Sequence, residues 1–140
     1  MFLESKMMKT NYLLEKALDA SMLRHQVIAD NIANADTPGF KRSAVTFESQ
    51  LQRALESEKI CEHTPQGYLT NKKHIEFCKP INYKSVRPKI VVDYDTNYRN
   101  DKNNVDIEKE IADSVKNTLR YKALAERLKE NYKMLSFVMQ

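Results

Sequence analysis

The chain has 140 residues, 41% of them hydrophobic and 30% charged, with a formal net charge of +4; that length suits one domain, and that balance is not the composition of a disordered chain. Gly39 and Gly67 are its two glycines, too few for a dinucleotide fingerprint or a phosphate loop. The 23 basic residues interleave with 19 acidic ones instead of gathering on one stretch, so nucleic acid is not an expected partner.

The start, Met1 to Lys6, lacks the apolar stretch and small-residue cleavage site of a secretory signal. No apolar run along the chain exceeds three residues, far below the roughly 20 that a membrane-spanning helix needs. From about Thr10 to Asn34 no proline or glycine interrupts, and apolar residues recur at helical spacing. Leu14, Leu18, Ser21, His25, Ile28 and Ile32 alternate steps of four and three, which predicts one seam facing a partner helix. Ala17, Ala20 and Val27 widen that seam.

The stretch Ala29 to Arg42 reads as a helix stop followed by a fixed exit. Asn34 can take a left-handed position at the helix end, and Pro38 cannot continue the helix. Thr37-Pro38-Gly39-Phe40 fits a type II turn, with proline setting φ at the second position and glycine supplying positive φ at the third. Asn31, one turn earlier, has no role in this local account.

Past the turn, Thr46 is expected to cap a short helix in which Phe47, Leu51 and Leu55 share a face. The helical period stops after Ser57. From there Pro65, Pro80 and Pro88, with Gly67 and several asparagines, predict a small irregular middle region. Within it, Cys61, His63, His74 and Cys78 have residue types able to hold zinc, although Cys-x-His is a strained chelate spacing. A Cys61–Cys78 disulfide and unlinked thiols with surface histidines are the other uses of the same residues. Lys89 to Tyr94, with its β-branched Ile90-Val91-Val92 core after Pro88, is the expected strand.

Asp106 is the expected N-cap of a C-terminal helix, with Glu108 and Glu110 in the first turn where the helix dipole favours negative charge. Ile111, Ser114, Thr118, Tyr121, Ala125, Leu128, Tyr132, Leu135 and Met139 then alternate steps of three and four. The expectation is a mainly α fold: long N- and C-terminal amphipathic helices packing as a coiled-coil-like pair around a small irregular middle with a short β-strand. Its parts would be 1–57, 58–103 and 104–140. The seam would be carried by Leu14, Leu18, Ile28, Tyr121, Leu128, Tyr132, Leu135 and Met139.

The run Asn31, Ile32, Ala33, Asn34, then Thr37, Pro38, Gly39, Phe40 and Lys41 resembles the N-terminal motif of the flagellar axial proteins, the rod, hook and hook-associated family. Phe47-Glu48, Leu51 and Ala54-Leu55 look like the segment that follows in the short proximal-rod members. Asn103 to Glu110 and Asn117 to Tyr121 look like the entry to their C-terminal helix. One departure is Lys102, where the family commonly has glycine, so that any positive φ in that turn is expected from Asn103.

The resemblance implies a structural subunit of the flagellar basal-body proximal rod, self-assembling through its terminal helices and transmitting torque. It implies as partners copies of the chain, other proximal-rod subunits, the rod-base protein joining rod to membrane ring, and the flagellar type III export apparatus. The place implied is the rod within the periplasmic space, reached without a cleaved signal peptide. No catalytic set is expected: no serine or cysteine has a base in sequence reach, and Asp93 with Asp95 or Glu108 with Glu110 are explained by strand-end and first-turn positions. No cofactor is expected. The alternative from the cysteine-histidine cluster is a zinc-stabilised helical adaptor.

Overall fold

The computed structural model describes residues 2–64, 78–94 and 100–139. In chain order it contains α1 (Phe2–Ala33), β1 (Ser43–Thr46), α2 (Glu48–His63), a short 3-10 turn (Tyr83–Ser85), β2 (Lys89–Val92) and α3 (Ile107–Val138). The chain forms two compact units, one of Met1–Val45 with Pro88–Gln140 and the other of Thr46–Arg87. The three-part expectation divides the chain elsewhere: here 88–103 go with the terminal helices and 46–57 with the middle of the chain. None of its helices is long and apolar enough to cross a membrane among the described residues.

In the first unit the two terminal helices pack along each other. Each has 32 residues, about 48 Å at 1.5 Å per residue. The fold is therefore mainly helical, with its long first and last helices paired. α1 begins at Phe2, earlier than the expected Thr10, because nothing before Thr10 breaks a helix. α3 starts where its cap dictates: Asp106 accepts from the backbone N–H groups of Glu108 and Lys109 at 3.0 and 3.3 Å.

The face that α3 turns to α1 runs Glu110, Ser114, Asn117, Tyr121, Leu124, Leu128, Asn131 and Leu135, in steps of four and three. Glu110, Asn117 and Asn131 are buried, and Ser114, Leu124, Leu128 and Leu135 half-buried. Of the nine expected residues, Ser114, Tyr121, Leu128 and Leu135 lie on this row, Ile111, Thr118, Ala125 and Tyr132 are displaced from it by one residue, and Met139 lies past its end. Ile111 is exposed, Tyr132 is 49% exposed and Met139 84%, while Tyr121, at 39%, sits on the margin. α1 departs in the same way. Leu14 and Leu18 are half-buried, Ser21 and Ile28 buried, but His25 is exposed and Arg24 takes its place on the inner face.

One physical reason covers these corrections. An expectation built on apolar residues assigns the seam to Tyr132 and Ile111, whereas an asparagine that finds a partner across the interface can be buried in their place. Asn117 donates to the carbonyl of Ser21 at 2.9 Å, and Asn131 to Oδ1 of Asn11 at 2.8 Å. All four residues are buried.

β1 pairs with β2 in a two-stranded sheet. The Asp93 N–H donates to the carbonyl of Arg42 at 2.8 Å, which sets the residue after β2 beside the residue before β1, so the strands run antiparallel. β2 ends at Val92, short of the expected Tyr94, and β1 was not among the expected elements. Ile90, Val91 and Val92 are exposed.

The second unit is built on α2. Its N-cap is Phe47, whose side chain makes no capping bond, so the cap position falls one residue after the expected Thr46. Phe47 and Ala54 are buried and Leu51 and Leu55 half-buried. The helix does not stop at Ser57 but runs to His63, since the first breaker is Pro65. Thr64 closes it through backbone and hydroxyl bonds to the carbonyl of Ile60 at 3.0 and 2.7 Å. Val86 is the other buried apolar residue of this unit among those described.

Candidate functional site

The most densely bonded part of the first unit lies where α1 ends and α3 begins. Gly39 has φ 74°, and the Phe40 N–H reaches the carbonyl of Thr37 at 3.3 Å, which is the type II turn. A Cβ at Gly39 would meet nothing within 4 Å, so the demand for glycine there is one of backbone conformation and not of space. The N–H of Gly39 donates to the carbonyl of Asp101 at 2.9 Å. This bond fastens the turn to the loop that enters α3.

Asn103 provides the main tie. Fully buried, its Nδ2 lies 3.1, 2.9 and 2.9 Å from the carbonyl oxygens of Asn34, Ala35 and Thr37. These carbonyls lie just past the end of α1, and those of Asn34 and Thr37 also accept from the N–H groups of Thr37 and Phe40. Its Oδ1 accepts from the N–H of Val105 at 2.8 Å. Asn104, also buried, accepts from the N–H of Arg42 at 2.6 Å and donates to the carbonyl of Asp93 at 2.9 Å. The positive φ of this loop is at Lys102 (62°), not at Asn103. With the Asn103 side chain held by these partners, the left-handed position falls on its exposed neighbour.

Asn31, without a role in the local sequence account, acquires one here. Its amide exchanges two bonds with the backbone of Ser43, donating at 2.8 Å and accepting at 3.0 Å, and also donates to Oε2 of Glu110 at 3.1 Å. The other Glu110 oxygen accepts from Nε of Arg42. Arg42 further reaches Oδ2 of Asp113 at 3.3 Å. Glu110 is thus a fully buried carboxylate with both oxygens occupied, the condition under which a buried charge is tolerable. This cluster fixes how the chain leaves α1 and where α3 lies against it.

The remaining motif residues sit around this latch. Ile32 and Asn34 are half-buried, as are Phe40 and Lys41, whereas Ala33, Thr37, Pro38 and Gly39 face outward. Asn34 does not take the expected left-handed conformation, since Lys102 is the one non-glycine with positive φ among the described residues. Its amide instead donates to the carbonyl of Asp30 at 2.8 Å. Sequence reasoning missed Arg42, Asn103, Glu110, Asn117 and Asn131 as structural partners. The signal for them was the excess of asparagines on two helices that otherwise read as amphipathic.

The zinc alternative meets a correction in the second unit. Cys61 and Cys78 are joined in a disulfide, so neither sulfur is a thiolate able to ligate metal. His63 is exposed and its Nδ1 lies 2.8 Å from the carbonyl of Lys59. His74 lies outside the described residues.

Residues 12–41, from the middle of α1 through the exit turn, match the family model described as flagella basal body rod protein. Over longer spans the chain is similar to flagellar basal body rod proteins named FlgB. It is 38% identical to that of Borrelia hermsii, over 91% of this chain and 93% of the relative. It is 36% identical to that of Borreliella burgdorferi, over 88% and 90% respectively, and 33% identical to that of Bacillus subtilis, over 90% and 89%.

Proposed function

The chain belongs to the flagellar basal-body rod protein family, as one of its FlgB type, and on that basis we propose that it is a self-assembling subunit of the proximal rod whose terminal helices carry the assembly contacts and transmit torque. Its partners are copies of itself, the other proximal-rod subunits and the rod-base protein that joins the rod to the membrane ring. It reaches the periplasmic section of the rod through the flagellar type III export apparatus.

The observation that carries this reading is the outer face of α3. Ile107, Ile111, Val115 and Leu119 recur at every fourth residue and are all exposed, as are Phe137, Val138 and Met139 near the helix end. One row of apolar side chains over three turns, outside the seam already buried against α1, is a surface that a neighbouring helix would cover. Beside the seam, Met22, His25, Gln26, Thr118 and Tyr121 border an open groove at which the buried Oδ1 of Asn117 has no hydrogen-bond partner among the described residues.

The test is complementation of a strain lacking the wild-type copy. Val115→Asp with Leu119→Asp alters exposed positions, so the purified variant should keep the helix content of the parent while rods and motility fail. Normal swimming would overturn the assignment of assembly to the terminal helices.

A further inference from the structure

Cys61 and Cys78 are the two cysteines of the chain, and they are bonded to each other with Cα atoms 5.4 Å apart, within the range a disulfide accepts. One ends up in the last turn of α2 and the other follows it at a sequence separation of 17. We propose that this pair is a thiol-oxidation site, the substrate of a disulfide-donating dithiol protein met after the chain leaves a reducing compartment, and that the bond it forms orders the α2 unit.

Among the described residues, the α2 unit has little apolar core. Its buried apolar residues among those described are Phe47, Ala54 and Val86, while Ile60 and Ile81, near the two cysteines, are exposed. Small units with so slight a core commonly depend on a covalent staple. The segment after Cys78 is tied to α2 by the Ile81 N–H bond to Oγ of Ser57 at 3.0 Å. Asn82 then caps the 3-10 turn locally, accepting from the N–H of Lys84 at 2.9 Å. The disulfide ties two positions 17 residues apart in sequence, which narrows the unfolded ensemble. The helix-pair unit contains no cysteine, so redox change acts on one unit alone.

The chemistry balances as ordinary exchange. A thiolate of the pair attacks one sulfur of the donor's disulfide, forming a mixed disulfide and releasing the donor's other sulfur as thiolate. The second cysteine, deprotonated, attacks the chain's sulfur in that bond, and the donor leaves as a dithiol. Two electrons pass from the chain to the donor, and the two thiol protons end on the donor. Neither cysteine is fully buried. Disulfides persist in oxidising compartments and not in the cytosol, so the oxidation follows export. Only this placement rests on the rod reading.

The experiment compares the full chain oxidised with glutathione disulfide, the same chain reduced with dithiothreitol, and Cys61→Ser with Cys78→Ser. Reduction should expose two alkylatable thiols by mass. It should speed amide exchange over 48–63 by about tenfold or more, with 107–138 changing by less than about twofold. The serine variant should match the reduced chain. Equal protection of 48–63 in all three forms would overturn the ordering role. Two free thiols trapped by acid quench and alkylation of the chain in assembled rods would overturn the oxidation site. The Val115 and Leu119 variants test the rod reading independently, so the two can fail separately.

Discussion

The two ends of the α1–α3 pair are built differently. At the exit-turn end, Asn31, Arg42, Asn103, Asn104 and Glu110 share a network in which each side chain has two or more partners. At the other end, Asn131 meets Asn11 at 2.8 Å and Tyr132 meets Glu15 at 2.8 Å, one bond each, beside the exposed Phe137, Val138 and Met139. The polar side chains of the first end are satisfied within a single chain; apolar surface is left over along the outer face of α3, at Ile107, Ile111, Val115 and Leu119, and again at the second end, and that is where a neighbour has something to add.

The comparison breaks if the two buried asparagines turn out alike. Asn103→Ala removes a buried amide that reaches three carbonyls just past α1 and should destabilise the helix-pair unit by about 3 kcal/mol, while Asn131→Ala, which loses one partner, should cost about 1 kcal/mol. Urea unfolding followed by helix signal measures both. Comparable losses would mean that the exit-turn network is not the stronger end. Replacing Asn11 and Asn131 together by leucine should be close to neutral or stabilising, since a buried polar pair exchanged for well-packed apolar groups loses no unsatisfied atom. If it proves neutral in the isolated chain yet impairs rods, the pair sets register.

Lys102 offers a finer probe of the same loop. It holds φ 62°, a conformation costly for a side chain with Cβ and free for glycine. Lys102→Gly should stabilise the unit by up to about 1 kcal/mol, visible as a rise of a few degrees in Tm. A fall in Tm would show that the lysine side chain contributes more than its backbone strain removes.

Much of this was legible in the chain alone, and what escaped has a common cause. Helix ends were readable where local chemistry decides them, as at Asp106, whose carboxylate caps α3, and at Pro38-Gly39, whose turn was expected residue by residue. The pairing of the terminal helices followed from two apolar stripes too long for a small core. The row of contact did not, because a half-polar seam is set by hydrogen bonds between residues 79 to 120 positions apart, and no local period reports them. Asn103 was quoted for resemblance and Glu110 for the helix dipole, yet their partners are distant in sequence. The continuation of α2 to His63 was missed for the opposite reason: polarity was read as a stop where no residue breaks the helix.

The smallest expected effect tests the open end directly. The Tyr132 hydroxyl donates to Oε1 of Glu15, and this bond, then the charge of the same carboxylate and a little desolvation, hold the phenol above the usual tyrosine range. The folded chain therefore keeps this proton at a pH where the unfolded chain has lost it. Whatever the contact contributes is fully present below about pH 10, the unfolded value, and is lost as pH rises through the higher folded one. Tyr132 is exposed, so the consequence for stability is slight and the readout should be the titration itself. Phenolate absorbance of the parent minus that of Tyr132→Phe should give a midpoint above the ordinary one, and Glu15→Gln should bring it down. An unchanged midpoint in Glu15→Gln would mean that the two side chains are not in contact in solution, and that α3 is free of α1 at this end until a neighbouring subunit brings them together.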